Sequence, residues 1–221
     1  MKINELVIFT SQLEEQLHFY TQRLRLPLLE QTSNSFKVAV GSSILVFKHY
    51  SHTFPYHIAI NIPSNQDMEA LVWLQDRVEL LSDNGTQLVD FKNWNAKSIY
   101  FYDADHNIIE FISRKNLGIQ NKDPFNYHAL LEISEVGVPV NDIQSTYEDL
   151  QELSKFPIYD GDFKRFCAVG DETGLFIIID KNKKKWFPTN DVAYSSNFEL
   201  KFENQGQELE LEFYDGRLSF V

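Results

Sequence analysis

One arrangement recurs along this chain and limits what it can become. A short apolar strand is followed by an amphipathic helix and then by three more strands, with starts near residues 5, 57 and 132. In the first unit, residues 5–9 read as a strand and 12–24 as a helix, with Leu13, Leu17, Tyr20 and Leu24 at helical spacing. Ser11 with Glu14 three residues on predicts a capped start. Strands are expected at 28–32, 36–40 and 44–49. The second unit opens with a strand at 57–62, closed by Pro63. Ser64 then caps a helix carrying Met68, Leu71, Val72 and Gln75, and strands are expected at 79–81, 86–91, 98–102 and 108–112. A third start lies at 132–140, with a helix at 142–153 and strands at 163–169 and 175–180.

The tail follows another pattern. Phe198, Leu200, Phe202 and then Leu209, Leu211, Phe213 alternate with mostly charged residues, the period of a strand with one wet face. Strands at 197–203, 208–214 and 217–221 form a meander, a fourth unit without its helix. Asp215-Gly216 suits a type I′ hairpin. The polar stretch 116–125 predicts a linker. The expected division is therefore paired strand–helix–three-strand modules over 1–115, a linker over 116–125, and a third module plus a degenerate fourth over 126–221. The fold class is α+β, with tandem βαβββ modules forming curved mixed sheets.

Charge and cysteine usage remove several functions. Twenty Lys+Arg against 32 Asp+Glu give −12, of which residues 116–221 carry −9 (10 basic, 19 acidic). Such a chain repels phosphate backbones and anionic lipid, so neither nucleic acid nor a membrane is an expected partner. Cys167 alone cannot make an internal disulfide, and no apolar run reaches membrane-spanning length. No charged region followed by an apolar run opens the chain, and the expected compartment is the cytoplasm. Lys183-Lys184-Lys185 reads as a solvated turn, with an anion patch as the alternative.

Familiar catalytic motifs are missing. Residues 170–174 lack the lysine of a phosphate loop, and there is no nucleophile elbow and no H-E-x-x-H. Asp103-x-Asp105-x-Asn107 opens like a calcium loop but places Ile108 at the turn glycine and Arg114 at the bidentate acid, so it reads as a solvated hairpin. His49 and His52 read as loop histidines, and Cys167 as a small core residue. Polar residues heading the strands stand out instead. His57, Ala59 and Asn61 share one strand face while Ile58, Ile60 and Ile62 share the other. Glu5 heads the first unit and Glu135 lies in the third. Glu110 sits among Ile108, Ile109, Phe111 and Ile112, where a carboxylate is costly unless paired, hydrogen-bonded or bound to metal.

These stretches resemble the vicinal oxygen chelate superfamily: glyoxalase I, the fosfomycin- and bleomycin-resistance proteins, and the extradiol dioxygenases. The resemblance rests on residues 5–20, ending in Leu17-His18-Phe19-Tyr20, on His57-Ile58-Ala59-Ile60, and on the run from Tyr102 to Phe111. It implies a metal-bearing cleft whose ligands come from the head of each first strand and from the closing strands. Carried over, these are Glu5, His57 and Glu110, with Leu45 at a fourth position that cannot bind metal. Glu135 takes the head position of the third unit, but its closing-strand counterpart is about Ile177, so a second metal site is not expected there.

A His/Glu/Glu set suits a divalent ion such as Mn, Fe, Ni, Zn or Mg, leaving positions open for two adjacent substrate oxygens. Tyr100, Tyr102 and Trp94 are candidate cleft residues for substrate, and Glu110 the candidate catalytic group. The implied activity is that of a metal-dependent lyase or oxidoreductase on a small substrate with vicinal oxygens. The alternative is a metal-free protein of the bleomycin-resistance type that holds a small ligand. A third reading makes the acidic second half an interaction surface. Module pairing within one chain or across a homodimer stays open.

Overall fold

The computed structural model describes residues 1–220; the expected end of the last strand at Val221 lies outside them. The first unit comprises β1 (Lys2–Thr10), α1 (Leu13–His18) continued by a π-helical turn over Phe19–Arg23, then β2 (Leu28–Gln31), β3 (Ser35–Val40) and β4 (Ser43–His49). The second holds β5 (His57–Ile62), α2 (Asp67–Gln75), β6 (Val89–Phe91), β7 (Ala96–Tyr102) and β8 (Ile108–Arg114). The third holds β9 (Glu132–Val140), α3 (Ile143–Leu153), β10 (Ile158–Asp162), β11 (Phe166–Asp171) and β12 (Gly174–Asp180). The tail is the meander β13 (Phe198–Asn204), β14 (Gln207–Tyr214) and β15 (Arg217–Phe220). In each complete unit the helix carries the chain away, and a three-strand meander returns the last strand parallel to the first. Without a helix, β14 turns straight back against β13. Asp215 and Gly216 both take positive φ (50° and 77°), as the expected I′ turn requires.

The strands form two sheets. One runs β15-β14-β13-β1-β4-β3-β2 and the other β10-β11-β12-β9-β5-β8-β7-β6. The expected pairing of the first two units within 1–115 does not occur. Unit two pairs with unit three, β5 antiparallel to β9, and unit one pairs with the tail, β1 antiparallel to β13. The second sheet therefore spans the 116–125 linker, and both pairings close within one chain. The reason is face matching. Strands β5, β8 and β12 are buried along their whole length, and β9 everywhere but its first residue. They suit a sheet covered on both sides. β13 alternates buried Phe198, Leu200 and Phe202 with half-buried Glu199 and exposed Lys201 and Glu203, so it needs a sheet with one wet face, and β1 and β4 provide it.

The inner faces of both sheets and the helices make one core. It runs from Ile3, Leu6 and Ile8 through Ile58, Ile60 and Val136 to Phe198 and Phe202. Two serines at the junction bind backbone. The Ser43 hydroxyl donates to Ile3 O at 2.6 Å and accepts from Ile133 N at 3.0 Å. Ser64 Oγ donates to Arg114 O at 2.7 Å instead of capping α2, which has no side-chain cap. Ser11 does not cap α1 either; Thr10 Oγ1 accepts from Gln12 N there. Asp142 does cap α3, accepting from Ser145 N at 3.1 Å.

The acidic turn is not the expected solvated hairpin. Asp103 and Asn107 are buried, and Asp103 accepts from Tyr20 Oη (2.9 Å), Asp105 N (3.0 Å), Asn107 N (3.0 Å) and Asn107 Nδ2 (2.8 Å). Asn107 Oδ1 in turn accepts from Tyr56 N at 2.8 Å. The turn locks the second unit to the helix of the first. Burial outweighs these hydrogen bonds and raises the Asp103 carboxyl to about 6.

Candidate metal centre and its pocket

Three strands bring three titratable side chains to one point. Glu110 on β8 and Glu135 on β9 both pair across Ala59 of β5, two residues after His57 and on the same strand face. Register places His57, Glu110 and Glu135 on the face away from the core, while Ile58, Ile109 and Val136 point into it. Ala59, having only a methyl group, leaves the space between the two carboxylates open. β9 carries an irregularity at Ser134, which opposes no residue of β5, and this shift sets Glu135 level with Ala59.

His57 Nε2 lies 3.5 Å from Glu110 Oε2 and 3.8 Å from Glu135 Oε2, and one donor atom from each residue falls within 4.8 Å of the others. These gaps are too long for hydrogen bonds and are of the size that shared coordination to one ion would span. All three residues are buried. Two buried carboxylates this close oppose each other's ionisation. Burial first, and the Glu135 charge second, raise the Glu110 carboxyl well above its ordinary range. The Tyr100 phenol, directly across from Glu110 on β7, is raised well above its usual value by burial and by both carboxylates.

Glu135 is also held from behind. Arg114, fully buried at the end of β8, donates from Nη2 to Glu135 Oε1 and from Nε to Asn61 Oδ1 at 3.1 Å. The guanidinium lies 5.4 Å from the centroid of the Trp94 ring. It thus occupies one oxygen of Glu135 and leaves the other facing His57. This is how a supporting group orients a ligand carboxylate. A cation fits this donor set: one imidazole and two carboxylates converge with none hydrogen-bonded to another.

Over the cluster lies a cavity of about 280 Å³. Its walls are Phe91, Trp94, Tyr100, Phe166, Ile177, Trp186 and Phe187, with Asp160 and Lys184 toward solvent. The segment between β12 and β13 supplies the cover. Trp186 lies beside the His57 ring, centroids 4.9 Å apart, and passes over Gly137, where a Cβ would sit 2.8 Å from the indole. Glycine is needed at 137 for that close approach, not for a special backbone angle. Trp94 Nε1 donates to Asp160 Oδ2 at 2.6 Å, fixing another wall.

The sequence-derived candidates divide clearly. His57 and Glu110 meet, and Tyr100 and Trp94 line the cavity. Glu5 belongs to the other sheet, opposite Lys201 and Ile44, because its unit pairs with the tail. Glu135 stands in its place. Ile177 on the closing strand of unit three lines the same cavity, so units two and three share one centre with an apolar fourth position. Tyr102 does not line it; its hydroxyl donates to Asp191 Oδ2 at 2.6 Å and anchors the covering segment. His49 and His52 stay apart from the cluster. Cys167 is buried in β11, and burial pushes its thiol up to about 11. Trp186 and Phe187 were not foreseen, since an irregular segment has no period to read.

No family model matches the sequence, and no curated protein does. Solved structures do. A candidate dioxygenase from Bacillus subtilis subsp. subtilis str. 168 matches with a TM-score of 0.60 and 14% identity over 81% of this chain. A glyoxalase I point mutant from Zea mays matches with a TM-score of 0.53 and 13% identity over 80%. The chain spans 63% of the length of the first and 66% of the second. No described helix is long and apolar enough to cross a membrane. Built as two sheets of paired strand–helix–three-strand units, the fourth lacking its helix, this chain has the α+β fold of the dioxygenase- and glyoxalase-type structures it matches.

Proposed function

We propose that the chain is a metal-dependent enzyme of the glyoxalase/dioxygenase type, acting on a small substrate with two adjacent oxygens. His57, Glu110 and Glu135 would hold a divalent ion, here Mn, Fe, Ni, Zn or Mg. The observation that carries this reading is the convergence of three buried donor atoms with no hydrogen bond among them. The ion would supply Lewis acidity to substrate oxygens. The protein's own groups do the rest. Arg114 keeps Glu135 oriented, the aromatic walls exclude water, and Glu110 lines the cavity, flanked by Tyr100. Glu110, lining the cavity across from Tyr100, is the candidate to exchange a proton with substrate. The localisation expected from composition is the cytoplasm, and the expected partner is a small molecule.

One observation favours a second reading, metal-free capture of a small ligand. Arg114 already pairs with Glu135 and His57 faces Glu110, so each carboxylate has a partner within the protein without an ion. Metal content separates the two. Protein purified without chelators should carry close to one divalent ion per chain, and a His57→Ala/Glu110→Ala double variant should carry none. Absence from both after soaking with Mn, Fe, Ni and Zn would leave the binding reading.

A further inference from the structure

The solvent side of the cavity carries a cation that the cluster does not use. Lys184 lines the cavity, with its ammonium 4.8 Å from the centroid of the Phe166 ring, and among the described residues no carboxylate pairs with it. The one acid on the cavity wall outside the cluster, Asp160, is already engaged by Trp94 Nε1 at 2.6 Å and by Gly161 N at 2.7 Å. Lys184 is half-buried, and burial together with the charge of Arg165 lowers its pKa. A part-buried cation without a partner is a cost that a bound anion would remove.

Its surroundings reinforce the point. Two short segments, 164–165 and 181–185, hold six of the chain's 20 Lys+Arg. They lie side by side: Lys183 Nζ reaches Lys164 O at 3.4 Å and Asp180 N donates to Arg165 O at 3.1 Å. Asp162 offsets Lys164 and Asp180 offsets Lys183. Arg165, Lys184 and Lys185 have no carboxylate partner among the described residues. In a chain of net charge −12, this concentrates uncompensated positive charge beside one cavity and directs anions there.

We propose that the cavity takes a flat, unsaturated small molecule bearing an anionic group, which pairs with Lys184 near solvent while its far end faces His57, Glu110 and Glu135. The far-end contact rests on the metal reading above; the charge preference does not. The anion is a carboxylate or a phosphate. The test is calorimetric binding of 3,4-dihydroxybenzoate, its uncharged amide and phenyl phosphate to the full chain, chelator-treated and Mn-loaded. At low salt an anionic probe should bind at least tenfold more tightly than the amide. Lys184→Gln should abolish that preference, while Lys184→Arg and Lys185→Gln keep it. Tighter binding of phenyl phosphate than of the benzoate assigns a phosphate, and the reverse a carboxylate. Equal affinities, a preference that survives Lys184→Gln, or no binding of either anion would overturn the proposal. Charge preference in protein that takes up no Mn would sustain it and sink the metal reading; Mn uptake without preference would do the opposite.

Discussion

The two sheets follow the same plan around their central strand pairs and end differently. Each has two antiparallel first strands at its centre, β1 with β13 and β5 with β9. In the first sheet the face away from the core carries Glu5, Lys48, Glu199 and Lys201. Two partly exposed ion pairs form there, Lys48–Glu199 at 2.8 Å and Lys201–Glu210 at 3.3 Å. In the second sheet the same face is covered by Trp186 and Phe187, and its polar residues include His57, Asn61, Glu110, Glu135 and Arg114, all buried. Charged side chains in water cost little and hold little. Charged side chains under a cover must be paired, protonated or bound to an ion, and that requirement sets the second sheet apart.

The sharpest way to break this contrast is to remove the guanidinium under Glu135. Arg114→Met leaves a buried carboxylate unpaired and should destabilise the fold by about 3–5 kcal/mol in chemical denaturation. A loss near zero would mean that water reaches Glu135 and that the cover is not closed.

The junction between the sheets should report through pH. Asp103 has its folded pKa raised to about 6. Its contribution is fully present below the unfolded carboxylate range near 4 and is lost as pH rises through 6. Parent and Asp103→Asn proteins should therefore differ more in stability at pH 4 than at pH 7, by roughly 2–3 kcal/mol from the size of the shift. Denaturant titrations of both at the two pH values check it, and a pH-independent difference would place Asp103 in water.

The smallest effect belongs to the first sheet. Lys48→Met removes a partner of Glu199 whose own side chain is 29% exposed, and should cost about 0–1 kcal/mol. A cost matching that of Arg114→Met would erase the distinction between the sheets.

Local patterns carried far into this structure. The alternation of His57, Ala59 and Asn61 against Ile58, Ile60 and Ile62 marked the strand face on which the His57, Glu110 and Glu135 side chains gather, because a two-residue period needs only one strand to be read. A carboxylate inside an apolar run marked Glu110, and Asp215-Gly216 marked its hairpin. What failed was long-range. The choice of Glu5 over Glu135 followed from pairing neighbours along the chain, whereas the strands pair by the number of faces they can bury. Glu135 carried a weaker form of that mark, with Ile133, Val136 and Val138 around it but Glu132 and Ser134 interrupting the apolar run. Tyr102 and the serines at 11 and 64 were misplaced because their hydrogen bonds go to segments remote from the local pattern or to other backbone groups.

On the proposed reading, units two and three, not one and two, build the metal centre. Divalent metal per chain, measured by elemental analysis in the parent, Glu5→Gln and Glu135→Gln proteins, tests it directly. Near-stoichiometric metal in the parent and in Glu5→Gln, with loss in Glu135→Gln, is the predicted result. Metal that survives Glu135→Gln and disappears with Glu5→Gln would contradict it.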